Sequence, residues 1–288
     1  MTASVPDIGL GCANLLEATL PELIDIAARA GFRRITVRPY AFAQALEAGW
    51  TEAALRGRLA GAGISVTMVD ALTHALPGMP RVADLDARVQ ARLPRDLTDP
   101  PDETMCFRAA TALGASIVNV THYMGQSLPL QVLSDAVGAV CRRAEAQGIR
   151  ISLEFLPESG FPDLPSAQAV VDACGAANVG VLLDVFHLDR SGGTVEDVLR
   201  LPPRAIAGIQ LSDRRRPAAG TRHVPLSGRL LPGEGELPLR ELVEAALQNS
   251  PAATVDIEVL NDELRALPPG EAAARLAAAA GAWRASIA

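Results

Sequence analysis

Aromatic residues make up only 3% of this 288-residue chain. Its core must therefore be built from aliphatic side chains and alanine, which suits buried parallel strands and the helices that cover them. The four cysteines, Cys12, Cys106, Cys141 and Cys174, include no Cys-x-x-Cys pair. That spacing argues against a zinc ribbon or a disulfide frame, and for small buried thiols in a reducing compartment. Positive charge is also short. The net charge is −7, whereas a general nucleic-acid binder needs a basic field to meet phosphates. No basic-then-apolar leader opens the chain, and no apolar run approaches the ~18 residues of a membrane span. Gly-x-Gly-x-x-Gly and Walker loops are missing, which removes the usual nucleotide sites. A cytoplasmic protein with no membrane or nucleic-acid partner is expected.

What the chain does have is 49% hydrophobic residues, enough for a large core. Short apolar runs alternate with Ala-rich amphipathic segments. Strands are expected near 6–10, 33–38, 64–70, 116–122, 150–156, 179–185, 206–211 and 254–260. Helices are expected near 20–30, 41–47, 51–61, 102–113, 130–147, 165–176, 194–200, 236–248 and 269–286. Eight strand–helix repeats indicate an α/β fold, a (β/α)8 TIM barrel forming a single domain over 1–288. An open doubly wound sheet is the alternative and would usually have fewer strands. Two stretches break the rhythm: 73–101, with five prolines, and the Arg/Gly/Pro-rich 212–235. Long loops after barrel strands lie on the C-terminal face, where barrel active sites are built.

The four consecutive runs in the second half of the chain each end on an oxygen-donor side chain: Glu154, Asp184, Gln210 and Glu258. Carboxylates are rarely buried unless paired or metal-bound. The gaps are 30 residues (154 to 184), 26 (184 to 210) and 48 (210 to 258). They match successive βα repeats, the last one lengthened by the 212–235 loop. All four oxygens should meet at the barrel mouth. Three carboxylates and an amide oxygen suit one divalent ion, Mn²⁺ or Mg²⁺ ahead of Co²⁺ or Zn²⁺.

These residues carry a resemblance. Glu154, the Asp-x-x-His of Asp184 to His187, the Gln-Leu-x-Asp of Gln210 to Asp213, Glu258 and the Pro-Gly-x-Gly segment within 229–235 resemble the sugar phosphate isomerase/epimerase family of xylose isomerase-like TIM barrels. The resemblance is strong over strands four to eight. It implies that Glu154, Asp184, Gln210 and Glu258 hold the metal, and that Glu154 and Glu258 also move protons on opposite faces of the substrate. The implied enzyme is a metal-dependent isomerase or epimerase of a small sugar, sugar phosphate or polyhydroxy ketone, acting through a metal-stabilised enediolate. Many members carry His where Gln210 stands. Those resembling inosose dehydratase and dehydroshikimate dehydratase use Gln, which supports a lyase acting on a cyclic hydroxy-ketone as the alternative.

Around this set, His187 and His122 are expected to touch substrate, as are Arg216 and Arg222 from the run after strand seven, which could clamp a carboxylate or phosphate. Asp70, ending strand three, is expected to contact substrate or relay a proton at the same mouth, and Arg38, ending strand two, could clamp substrate as the later arginines do. His74 and His223 read as solvated loop residues, and Arg229 as ordering its own loop. Endonuclease IV shares the barrel and resembles the chain at Glu154, Asp184, His187 and Glu258. It needs a zinc cluster and further histidines, and an acidic chain is ill suited to DNA. A sugar-binding barrel without turnover is the remaining reading. The Ala-rich outer helices are compatible with a homodimer.

Overall fold

Eight parallel strands close into one barrel in sequence order: β1 (Gly9–Leu10), β2 (Arg34–Val37), β3 (Ser65–Leu72), β4 (Ile117–Thr121), β5 (Arg150–Glu154), β6 (Val179–Asp184), β7 (Ile206–Leu211) and β8 (Thr254–Ile257). The computed structural model describes residues 5–218, 220–221 and 223–287. Each expected strand position holds a strand, and β1 pairs with β8 to complete the closure. The open sheet is excluded by that pairing.

Local chemistry explains the elements. Helix Leu20–Ala30 begins at a Thr19/Glu22 capping box and ends on Gly31 at φ 92°, a left-handed position that glycine tolerates. Helix Pro39–Glu47 starts two residues before its expected boundary, because Pro39 fits the first helical position, where no N–H is needed. Gly9 serves packing. A Cβ on it would lie 2.1 Å from Asp256 Oδ1, inside the narrow barrel.

Two apolar layers result. Most buried side chains pack between barrel and helices. A separate cluster of Met68, Ile117 and Leu182 fills the barrel interior, as side chains do in this fold. Strand alternation then carries the inward face upward, from Ile117 to Asn119 and Thr121 on β4 and from Leu182 to Asp184 on β6. Asp184 and Gln210 are cross-strand partners, and so are Gln210 and Asp256. Glu258 stands two residues beyond Asp256, so the four ligand candidates form a shallow staircase at the mouth.

The two long loops cover that mouth. The 73–101 excursion contains short helices at Val82–Asp84, Ala87–Gln90 and Arg95–Thr98, too brief to show a hydrophobic period. Arg92 donates to Pro225 O at 2.9 Å and pairs with Asp262 at 2.7 Å, which ties this loop to 212–235. A further helix, Val185–Arg190, follows β6 directly. Its six residues also escape periodicity, and its N-cap is Asp184 itself. No helix among the described residues is long and apolar enough to cross a membrane.

Candidate functional site

Asp184 has two jobs. Its Oδ1 accepts from the backbone N–H of Phe186 at 2.8 Å and of His187 at 3.3 Å, capping the helix. Its Oδ2 is left facing inward, 2.7 Å from Arg229 Nη2. Arg229 is 2% exposed, and its Nη1 lies 3.2 Å from Glu258 Oε2. One guanidinium thus bridges two of the four ligand candidates. Nη1 also donates to the Glu258 carbonyl at 3.2 Å, and the group sits 4.8 Å from the Phe186 ring centre. The expectation that Arg229 merely orders its own loop is corrected: it is the buried countercharge of the site.

All four strand-end residues are buried: Glu154 at 6% exposed, Asp184 at 0%, Gln210 at 1% and Glu258 at 5%. His187 joins them. Its Nε2 is 3.7 Å from Glu154 Oε1 and 3.6 Å from Asp184 Oδ2. One oxygen each from Glu154 and Asp184 and one His187 nitrogen lie within 4.8 Å of one another. The sequence placed His187 against substrate; the structure places it among the ligand candidates. Burial lowers its pKa to about 4, outweighing Asp184, so the ring is neutral near pH 7.

The donor set fits a hard divalent cation. Gln210 Oε1 is buried and accepts no hydrogen bond. A buried orphan acceptor is costly, and an ion held with the three carboxylates would satisfy it. Electrostatics point the same way. Burial, then Asp70, Glu258 and Asp184, push the Glu154 carboxyl well above its ordinary value. Burial raises Glu258 to about 8, with Arg229 opposing and Asp70 and Asp184 reinforcing. Burial alone would raise Asp184 too, but Arg229 and His187 hold it below the usual carboxylate range. A single guanidinium leaves this cluster short of positive charge.

The site opens into a cavity of about 150 Å³. Its floor carries Asp70, Glu154, His187, Arg229 and Glu258, and its walls include Leu16, Leu97, Leu156, Phe186 and Leu260. Arg38, Arg190 and His223 also line it. The reading of His223 as a solvated loop residue is thereby corrected: it packs 5.8 Å from the Phe186 ring, and burial and then Arg190 lower its pKa to about 4. The chain contains no lysine, so every side-chain cation here is arginine.

Two expected substrate contacts lie elsewhere. His122 is fully buried, with Nε2 donating to Pro77 O at 2.8 Å and Nδ1 accepting from the Gly160 N–H at 3.1 Å. It stacks on Phe161 at 5.6 Å. Strand alternation sends Thr121 into the cavity and His122 outward, so His122 pins the loop after β3 to the loop after β5. Arg216 is exposed, and its contact is a backbone N–H donated to Glu236 at 3.1 Å; it does not line the cavity. Arg222 lies outside the described residues. The arginines that reach the cavity, Arg38, Arg190 and Arg229, stand apart from the charge run; Arg38 lies at the mouth as its strand-end position predicts, whereas Arg190 carries no such signal.

Asp213 explains the Gln-Leu-x-Asp motif. Its carboxylate accepts from the backbone N–H groups of Arg214, Gly233, Gly235 and Leu237 at 2.8, 3.0, 3.0 and 3.1 Å. It folds the Pro-Gly-x-Gly segment back and so presents Arg229.

A family model described as xylose isomerase-like TIM barrel matches residues 24–284. The chain is 24% identical over 131 residues to an inosose isomerase of Halalkalibacterium halodurans, covering 45% of this chain and 46% of that one. It is 27% identical over 138 residues to a 3-dehydroshikimate dehydratase of Pseudomonas aeruginosa, covering 48% of this chain and 22% of that one. These matches span less than half the length of either relative. Among solved structures, the IolI protein with a bound zinc atom superposes with a TM-score of 0.81 at 18% identity, covering 98% of this chain and 99% of that one. The barrel closure, the strand-end oxygens and the family match lead to one conclusion: the chain belongs to the xylose isomerase-like TIM barrel family.

Proposed function

We propose that this protein is a divalent-metal-dependent isomerase or epimerase of a small sugar or polyhydroxy ketone. Glu154, Asp184, Gln210 and Glu258 would hold the ion, with His187 beside them. The observation that carries this reading is the buried cluster of Glu154, Asp184 and His187, whose ligand atoms lie within 4.8 Å of one another, with Arg229 bridging Asp184 to Glu258 and Gln210 Oε1 left unpartnered. When bound, a divalent ion supplies Lewis acidity toward a carbonyl and its neighbouring hydroxyl. The chain's own residues do the rest. Glu154 and Glu258 project from β5 and from the end of β8, across the barrel mouth from each other. One takes the proton next to the carbonyl and the other returns a proton. Both have raised pKa values, which suits carboxyls that must hold and release protons near neutral pH. The loops tied by Arg92 line the cavity through Pro94, Leu97 and Leu226, where they would limit the access of bulk water to the reacting carbon.

A second reading, dehydration of a cyclic hydroxy-ketone, is favoured by Gln210 and by the leucine-lined walls, which suit the apolar face of a ring. The relatives include an isomerase and a dehydratase, which leaves room for both.

The test is proton exchange in D₂O, followed by NMR with Mn²⁺-loaded protein against ketoses, their phosphates and cyclic polyol ketones. Exchange without loss of water supports the isomerase or epimerase; water loss supports the lyase. Glu154→Gln and Glu258→Gln should each slow exchange by about 10²–10⁴-fold. Wild-type rates in either variant would remove that residue from its role.

A further inference from the structure

Behind the strand-end oxygens runs a hydrogen-bonded chain that the proposed reaction does not itself use. Asn119 Nδ2 donates to Asp70 Oδ1 at 2.8 Å and to Glu154 Oε2 at 2.7 Å. Gln210 Nε2 donates to Asp70 Oδ2 at 3.0 Å and to Glu258 Oε1 at 3.1 Å. Each amide nitrogen gives one hydrogen to Asp70 and the other to a glutamate. The order is therefore Glu154, Asn119, Asp70, Gln210, Glu258, and it joins both proposed proton-transfer residues through a single carboxylate on β3. Asn119 is fully buried and Gln210 is 1% exposed.

We propose that Asp70 is a positioning residue: through these two amides it sets the orientation of Glu154, Glu258 and the Gln210 carbonyl oxygen for the ion. The inference rests on the metal-dependent reading above. Its logic is that of donors and acceptors. A buried amide can present either its NH₂ or its oxygen to a neighbour. An ionised carboxylate only accepts, so each oxygen of Asp70 requires an NH₂ to face it. Gln210 Oε1 is thereby turned away from Asp70, and there it accepts no hydrogen bond. An asparagine at position 70 would place a donor against one of two donors. One amide would then lose its partner or turn over, and its glutamate would lose its anchor.

The same geometry explains an amide at 210. An imidazole that ligates through one nitrogen has a single N–H left, which cannot serve both Asp70 and Glu258. Asp70 also carries an electrostatic cost, since after burial it is the largest cause raising the Glu154 carboxyl. A further negative charge here works against the metal-free fold, and its hydrogen bonds to the two amides give it a purpose.

The experiment compares wild type, Asp70→Asn, Asn119→Ala and the double variant in Mn²⁺ titrations by calorimetry, with melting in EDTA as the check on folding. Each single variant should bind Mn²⁺ about 10–100-fold more weakly. Asn119→Ala removes neither a charge nor a ligand, so its loss reports positioning alone. The double variant should lose no more than the weaker single variant, because both break the same chain. Losses that multiply, or unchanged affinity in Asn119→Ala, would overturn the proposal. So would abolished binding in Asp70→Asn beside a normal Asn119→Ala, which would make Asp70 a direct ligand. A readout on metal-free wild type is independent of the variants' folding: the Gln210 side-chain NH₂ should exchange with solvent at least about 100-fold more slowly than that of a free glutamine, and exchange at the free rate would sink the clamp. A wild type that binds no Mn²⁺ would defeat the metal-dependent reading instead, and amide exchange would still decide whether Asp70 fixes Gln210.

Discussion

Replacing Arg229 with methionine isolates the buried countercharge. The guanidinium pairs with Asp184 and Glu258 at 2.7 and 3.2 Å, and all three groups are shielded from water. Methionine keeps much of the volume against Phe186 and removes the charge. Breaking a buried pair from one side costs about 3–5 kcal/mol, because the partners stay buried and unpaired. For a chain of this length that is a fall in Tm of about 10 °C. The loss should deepen with pH. Glu258, already raised to about 8, goes higher without Arg229; it can take a proton at about pH 6 and relieve the strain, but less readily at about pH 9. A divalent ion should restore most of the loss. At a hundredfold excess over Kd it contributes about 2.7 kcal/mol to the wild type, and more to the variant, where no arginine shares the carboxylates. Calorimetric melting in EDTA and in Mn²⁺ measures both effects. A variant that melts within about 2 °C of wild type in EDTA, or that gains no more from Mn²⁺, would refute the reasoning.

Mn²⁺ affinity should rise with pH. The ion needs ionised ligands, and Glu258 holds its proton to about 8, so Kd should improve roughly tenfold per unit up to that value, with proton release visible as buffer-dependent heat; a flat Kd between about pH 6 and 8 would contradict it. The metal-free fold runs the other way. The unfolded chain ionises this carboxyl near its ordinary value of about 4.3, while the folded chain holds the proton to about 8. The unfolded state therefore binds fewer protons across that window, and stability in EDTA should fall as pH rises through it; denaturant melts showing a steady rise would count against the burial of Glu258. His122→Ala should cost about 2–4 kcal/mol, through a lost ring and two unpaired backbone groups, and leave Mn²⁺ affinity unchanged; wild-type urea melts with weakened substrate binding would return His122 to the cavity. Asp213→Ala strands four backbone donors and should expose 213–237 to limited proteolysis, whereas an unchanged digest would mean the loop holds without it.

The barrel was legible because its signals are local and repeated. Eight apolar runs at βα spacing each became a strand, and the polar residues ending the last four fell at the mouth, Asp184 and Gln210 in direct register and Glu154 and Glu258 within two residues of it. The misses have physical causes. Position along the chain puts His122 at the mouth, but a one-residue step on a strand reverses the face. Arg216 draws attention because it sits in a dense run, yet dense runs are usually solvated, and Arg216 is exposed. Arg229 and His223 read as loop residues in the sequence because their burial depends on Asp213 and on the Arg92 tie, tertiary contacts between segments far apart in sequence. The hydrogen bonds of Asp70 to Asn119 and Gln210 are out of reach for the same reason, since they exist only once the barrel closes and β3 faces β7 across its interior. The helix from Val185 to Arg190 was lost to brevity.

The double duty of Asp184 has one last consequence. Its Oδ1 is spoken for by the amides of Phe186 and His187, so it can offer an incoming ion only a one-toothed grip. Any tug on that carboxylate is felt at the first turn of the following helix, which bears both His187 and Arg190. Those two amides thus act as an internal gauge, and their deuterium uptake would register occupancy of the centre without any knowledge of what the protein consumes.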